Sequence, residues 1–349
     1  MTRTRVIVAL LALLSAAASH AKAAAKIPFV EGLTIVRAVS TPTAEYESIR
    51  TIRSLSEKGY LINTASEVLD DSGTMRELSI TREVLAADQR EARKMRLYFH
   101  TNDPENFPGT TPGISRAILL DLKTQGSAEL TFLDVGSALI GGSKIKRTLK
   151  GSVTRMGAVN VPMLVNGRRV MLAGVRAKGR VTDTASSEEL EFVALDDPDN
   201  PLLLQTRGPG ISGATTIKID FPESTPASDL ERSLAAGEIV EVRSIYFAFA
   251  SDRMRPQSDR VLREIADVLK KHPEWKLRID GHTDSIGNDA ANLDLSKRRS
   301  GAVVAALSQR LGIDASRLVA DGHGEGAPLE SNHTPEGRAR NRRVELRRL

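Results

Sequence analysis

Residues 275–312, WKLRIDGHTDSIGNDAANLDLSKRRSGAVVAALSQRLG, decide how the last third of the chain folds. Trp275, Leu277 and Ile279 alternate with polar residues, which is the period of a half-buried strand. Gly281 to Asn288 is a turn-rich loop. A long helix is then expected from about Asn292 to Leu311, with Gly312 just past its end as a C-cap. At ~100° per residue, Leu295, Ala302, Val303 and Ala306 share one face of that helix, and Arg299 falls in the middle of it. An Arg on a buried stripe needs a partner, because an unpaired buried charge is very costly. Arg310 has a similar azimuth, but in the last turn it can snorkel and favour the helix dipole. Arg299 lies near the N-terminus and has no such help. Its carboxylate must come from Asp284 in the preceding loop or from an external ligand.

Upstream, Val240, Val242, Ile245, Phe247 and Phe249 come close to alternation and predict a strand with one buried face. Pro256 suits the start of a helix, where its missing N–H costs nothing. Val261, Leu262, Ile265, Val268 and Leu269 give that helix a clean apolar stripe, and His272-Pro273 ends it. Downstream, Leu318 to Ala320 and Arg343 to Leu346 read as two short strands. The order β-α-β-α-β-β predicts a two-layer domain over residues 238–349, a sheet covered by helices on one face.

Before it, Phe221-Pro222-Glu223-Ser224-Thr225-Pro226 is a Pro/Ser/Thr break, and a linker is placed at 222–237. Within it Ser228 to Ala235 reads as a short helix ended by Gly237. Residues 26–221 are rich in strand signals. Arg50 to Ser54 and Tyr60 to Val68 flank Glu57-Lys58-Gly59, and Asn166-Gly167 joins Val159–Val165 to Arg168–Val175 as a hairpin. Leu190–Leu195, Leu202–Thr206 and Thr215–Phe221 continue the pattern. One helix is expected between Arg82 and Met95, on a weak stripe of Val84, Leu85, Ala92 and Met95. The fold class is therefore α+β, a β-rich domain of unknown kind followed by the two-layer domain, and 349 residues suit two such cores.

Arg3 and Arg5, the uncharged run Val6 to Ala18 and the small residues at 21–25 form the three-part pattern of a secretory signal, expected to end near residue 25. The run is shorter than the ~17–25 residues a spanning helix needs. Cys is absent, so there is no disulfide framework, thiol nucleophile or Cys-based zinc site, and no Cys for lipid attachment. Export also sets aside nucleic acid as the partner of a chain with net charge +5. Much of that excess sits in Arg338, Arg340, Arg342, Arg343, Arg347 and Arg348, which read either as the solvated face of a strand or as an anion site.

Several separated blocks belong together. They are Asp280-Gly281-His282-Thr283-Asp284 with Gly287, Asn292-x-x-Leu295-Ser296-x-x-Arg299, Gly322-x-Gly324-x-x-Ala327-Pro328, and Asn332-x-Thr334-x-x-Gly337-Arg338-x-x-Asn341-Arg342-Arg343-Val344. Residues 238–349 on this pattern resemble the OmpA-like peptidoglycan-binding domain, the soluble module also found in peptidoglycan-associated lipoprotein and the flagellar stator protein. The resemblance says nothing about residues 26–221. It implies a peptidoglycan ligand of the diaminopimelate type, a zwitterion with an ammonium and a carboxylate on one carbon. Asp284 would accept from the ammonium and Arg299 would grip the carboxylate with its planar fork. Asn292 matches a neighbouring polar position of the site. It also implies a periplasmic protein at the wall or outer membrane, with possible envelope-protein partners. Two departures stand out: Ala248 where the family often has Asp, and Ser300 where it favours Ala.

Other signals carry less. His282, Thr283, Asp284 and Ser285 are sequence neighbours and do not make a triad, which is defined by geometry; His282 reads as a turn residue hydrogen-bonding its loop. His323 and His333 fit no zinc spacing. Gly208-Pro209-Gly210-Ile211-Ser212-Gly213 matches G-x-G-x-x-G but precedes a strand, so it reads as a glycine loop. Asp196 to Pro201 reads as an Asp/Asn/Pro turn rather than a calcium loop. No catalytic residue, metal or cofactor is assigned, and the chain is not expected to be an enzyme. The alternatives for residues 26–221 are an outer-membrane β-barrel, against which a 4% aromatic content argues, and a wall-localised enzyme or ligand binder.

Overall fold

A computed structural model of the protein describes residues 26–40, 45–69, 75–96, 108–134, 147–222, 226–242, 244–248 and 250–349. The expected signal at 1–25, part of the expected linker, and Phe249 lie outside the described residues. No described helix is long and apolar enough to cross a membrane.

The first part is built of β1 (Thr34–Ser40), β2 (Glu45–Ser56), β3 (Gly59–Leu69), β4 (Met75–Leu85), helix α1 (Ala86–Glu91), the two-residue strands β5 (Lys94–Met95) and β6 (Thr110–Thr111), helix α2 (Arg116–Thr124), β7 (Ser127–Asp134), β8 (Arg147–Val165), β9 (Arg168–Thr182), β10 (Ser187–Leu195), β11 (Leu203–Gly208) and β12 (Ile211–Asp220). They make one sheet in the order β4-β3-β2-β1-β12-β11-β10-β9-β8-β7-β5-β6. Strand β12 also pairs in parallel with β8, Lys218 opposite Leu164 and Ile219 opposite Val165, so β8 to β12 close on themselves. The β8–β9 hairpin turns on Asn166 and Gly167 at φ 44° and 76°, the positive pair that a two-residue I′ turn requires.

The helix expected between Arg82 and Met95 survives only as α1. Arg82 to Leu85 instead extend β4, paired with Gly59 to Ile62, and this ladder outweighs the weak stripe. Helix α2 was not foreseen. Ser115 caps it, accepting from the Ile118 N–H at 3.3 Å, and Ile118, Leu119 and Leu122 are fully buried beside Phe132 and Leu149.

The second part comprises α3 (Pro226–Ala235), β13 (Val240–Val242), α4 (Asp259–Lys271), β14 (Leu277–Gly281), α5 (Asp289–Ala305), β15 (Leu318–Gly322), α6 (Pro335–Asn341) and β16 (Val344–Arg348). Its sheet runs β13-β16-β14-β15, with β14 and β15 parallel and the other pairs antiparallel. It has its own core, in which Leu262, Ile265, Val268 and Leu269 of α4 meet Leu277, Ile279, Val303, Leu307 and Leu346. Leu234 of α3, from the segment read as linker, is buried in that same core.

The strand expected over Val240 to Phe249 stops at Val242. From there the backbone is satisfied by the approach to α4. The Tyr246 N–H donates to Ser258 Oγ at 2.8 Å, and its carbonyl accepts from Ser258 Oγ at 3.1 Å and the Arg255 N–H at 2.7 Å. Helix α6 was also not foreseen, although Thr334 caps it and Pro335 opens it; it is short and has no apolar stripe to betray it.

Helix α5 is rotated from the face expected. Asn292, Ser296, Ser300 and Val303 are buried, while Leu295, Arg299 and Ala302 are half-buried. The cause is close approach to the sheet. A Cβ on Gly281 would collide with the Ser296 carbonyl oxygen, and one on Gly322 with the Lys297 N–H and Ser296 Oγ. Only small residues fit there, and Ser296 accepts from the Gly324 N–H at 2.9 Å. Ser300, fully buried, donates to the Lys297 carbonyl at 2.9 Å and so carries no unmet hydroxyl.

Gly281→Ala is expected to destabilise the C-terminal domain by about 1–3 kcal/mol through overpacking. In Gly301→Ala the added methyl meets open space on a helix, and the change should be neutral or stabilising by up to about 1 kcal/mol. Urea unfolding of the two variants checks the contrast, and equal stabilities would refute the close-approach account.

Candidate functional site

Asp284 stands in the loop between β14 and α5, 7% exposed. One carboxylate oxygen accepts from the Ile286 N–H at 3.0 Å, and the other is paired with Arg342. The loop is tied at several points. Asn292 Nδ2 donates to the Asp284 carbonyl at 3.2 Å and to Glu325 Oε2 at 2.6 Å, the Thr283 N–H reaches the Gly324 carbonyl at 2.9 Å, and Asn288 caps α5. Asn292 is therefore a brace for the Asp284 loop.

Arg299 projects from the third turn of α5. Its Nε donates to the Ser251 carbonyl at 3.0 Å and its guanidinium lies 4.9 Å from the centre of the Phe247 ring. Both contacts help to orient the fork. Ala248 is buried at the base of the same loop, where its N–H donates to the Arg253 carbonyl at 2.9 Å and its own carbonyl accepts from Ser251 at 3.2 Å. The side-chain position where the family often has Asp is thus a methyl group.

Arg299 and Arg342 line one cleft together with Phe247 and His282, and its far wall belongs to the N-terminal domain, through Val36, Glu47 and Ile49. The cation paired with Asp284 is thus Arg342, which lines the same cleft as Arg299. Arg342 is paired on its other side with Glu47. In the sequence Arg342 and Arg343 stand among the basic residues of the tail and in the last motif block, with no site role assigned to either. Arg343 is in fact buried, bonded to Glu345 at 2.7 Å and to the carbonyls of Asn341 and Ala327 at 3.2 and 3.1 Å.

His282 does not hydrogen-bond its loop through the ring as expected. It is 5% exposed, stacks on His323 with centroids 5.0 Å apart, and neither ring nitrogen has a hydrogen-bond partner. Burial, followed by the nearby Arg343 charge, pushes its pKa down to about 4, so it is neutral at pH 7. Asp280 and Asp321 come within metal-holding distance of His323. Arg278 already serves both: its Nε donates to Asp280 at 2.9 and 3.0 Å, and its Nη2 to Asp321 at 2.8 Å.

A four-stranded sheet with helices packed against it, a buried acid in the β14–α5 loop and a half-buried Arg on the following helix define an OmpA-like domain. The OmpA family profile matches residues 246–342, and the chain belongs to that family through this domain. It is 34% identical over 142 residues to Outer membrane protein A of Bordetella avium, covering 40% of this chain and 70% of that protein. It is 38% identical over 131 residues to Outer membrane porin F of Pseudomonas aeruginosa, covering 36% and 37%. It is 36% identical over 127 residues to Peptidoglycan-binding protein ArfA of Mycobacterium tuberculosis, again covering 36% and 37%. The chain thus spans little more than a third of the porin and of ArfA.

The folded His282 titrates lower than the ordinary value of 6.5, so the unfolded chain takes up a proton first. Its contribution is whole above pH 6.5 and is lost as pH falls towards 4, by about 3 kcal/mol. In thermal melts, His282→Phe should lose less stability than wild type across that window; parallel curves would refute the assignment.

Proposed function

We propose that residues 238–349 bind peptidoglycan non-covalently through the diaminopimelate side chain of its stem peptide, and so hold the β-rich domain at the cell wall. The observation that carries this reading is Arg299 lining one cleft with Arg342, the cation to which the Asp284 carboxylate is paired. Asp284 accepts from the ligand ammonium, and Arg299, oriented by Ser251 and Phe247, receives the carboxylate. A zwitterion answers both charges at once, which lowers the cost of desolvating either. Asn292 acts one step back by fixing the Asp284 loop. The peptidoglycan-binding name of the mycobacterial relative supports the ligand class.

The rest of the proposal follows the same logic. The protein is exported, with residues 1–25 as its signal, and works without catalysis or cofactor in the periplasm, at the wall or outer membrane. Nucleic acid is not a partner, whereas envelope proteins are. The N-terminal part is a periplasmic domain rather than an outer-membrane barrel, since among the described residues the ring closed by β8 to β12 has five strands and bacterial outer-membrane barrels have at least about eight.

Residues 238–349, which carry a core of their own, should co-sediment with diaminopimelate-type sacculi and remain in the supernatant with lysine-type sacculi, which lack the second carboxylate. Asp284→Ala and Arg299→Ala should each weaken binding by about tenfold or more, the scale of one charge-assisted hydrogen bond. A wild-type domain that ignores both wall types would leave Asp284 as a structural partner of Arg342 and nothing more.

A further inference from the structure

We propose that the N-terminal domain is a reversible cover for this cleft, so that ligand at Asp284 and docking of the N-terminal sheet exclude one another. The inference rests on the peptidoglycan-binding reading above.

Arg342 is the link. Its guanidinium is paired with Asp284 through one nitrogen and with Glu47 of β2 through the other. The carboxylate that would receive the ligand ammonium therefore already has a cation, and that cation is anchored to the other domain. An ammonium entering at Asp284 must displace Arg342 there, which also loosens the hold on Glu47. The cleft is also walled on two sides, by Arg299, Phe247 and Arg342 from one domain and Val36, Glu47 and Ile49 from the other. A stem peptide remains attached to its glycan strand and cannot be buried like a free amino acid. To reach Arg299 in this cleft it has to enter between the two domains.

The contact is built to separate. Its apolar centre is small, with Val36, Ile49 and Ile217 of the N-terminal sheet against Tyr246 and Ala339. Beside it the Tyr246 hydroxyl bonds Asp220, and at the margin stand more open polar ties, Gln257 Nε2 on Thr51 Oγ1 at 3.1 Å and Arg169 on Glu330 at 3.1 Å. A second cleft, lined by Glu31, Thr51, Asp220, Gln257 and Arg260, opens on another flank of the contact. Small, largely polar contacts between domains of one chain are the kind that open and close.

The chain has no native Cys, so a double variant Thr51→Cys/Gln257→Cys can be joined specifically by a short bismaleimide. Both positions line the second cleft and neither lines the cleft of Arg299, so the linker does not plug the proposed site. The full-length chain locked in this way should bind diaminopimelate-type sacculi about tenfold or more weakly than the same chain capped with N-ethylmaleimide, because only the open fraction binds. Full-length Glu47→Lys, which repels Arg342, should bind more tightly than full-length wild type and approach residues 238–349. Locked and capped chains that bind equally overturn the cover while leaving the peptidoglycan reading intact. If residues 238–349 themselves fail to bind, both readings fall together.

Discussion

The C-terminal domain depends on how closely α5 can lie against β14 and β15. Gly281 and Gly322 offer no side chain, Ser296 and Ser300 offer only a hydroxyl, and the helix backbone settles almost onto the strands. That contact fixes the height and rotation of α5, and with them the position of Arg299 relative to the β14–α5 loop. Asp284 leaves the end of β14 and Arg299 sits three turns along the helix, so the distance between them is set by packing that neither takes part in. The rotation also explains why Arg299 is half-buried beside Phe247 instead of lying in the core. A larger residue at any of the four positions would lift the helix and separate the pair.

Charge is arranged on the same frame with little left to chance. The excess of basic residues near the C-terminus is not a uniform solvated face. Arg343 is buried and satisfied by Glu345 and two carbonyls, Arg340 pairs with Glu330, Arg338 donates to the Asn332 carbonyl, and Arg348 lies over Trp275. Each of these holds a loop or an edge in place. Arg342 differs because its two partners, Asp284 and Glu47, belong to different domains, so domain docking and the state of the site share one guanidinium. Half-buried ionic contacts of this kind add little net stability.

The legible parts of the fold were those written as periodic patterns or as single strong local signals. The α4 stripe, the β14 alternation and the Asn166-Gly167 hairpin are of this type, and each stands where expected. The parts that escaped have a common physical character. Helix α6 is seven residues long with no stripe, α2 is nine residues long with only Ile118, Leu119 and Leu122 to mark its buried face, and the strand at Val240 ends early because Ser258 takes the Tyr246 backbone. The Arg82–Met95 stretch misled in the opposite sense: weak helical spacing lost to a full ladder against β3.

At the site the division is equally clear. The sequence by itself determined the two-layer character of residues 238–349, the membership of Asp284, Asn292 and Arg299 in one set of motifs, and the absence of any cysteine chemistry. These follow from local spacing and residue type, which the chain carries wherever it folds. Only the tertiary structure decided that α5 turns its small residues inward and that His282 is buried without a hydrogen bond for its ring. It alone decided that Asp284 meets Arg342, and through it a carboxylate 295 positions earlier in the chain. Such contacts join residues with no shared period and no neighbouring sequence, and they exist only once two separately folded surfaces have been brought together.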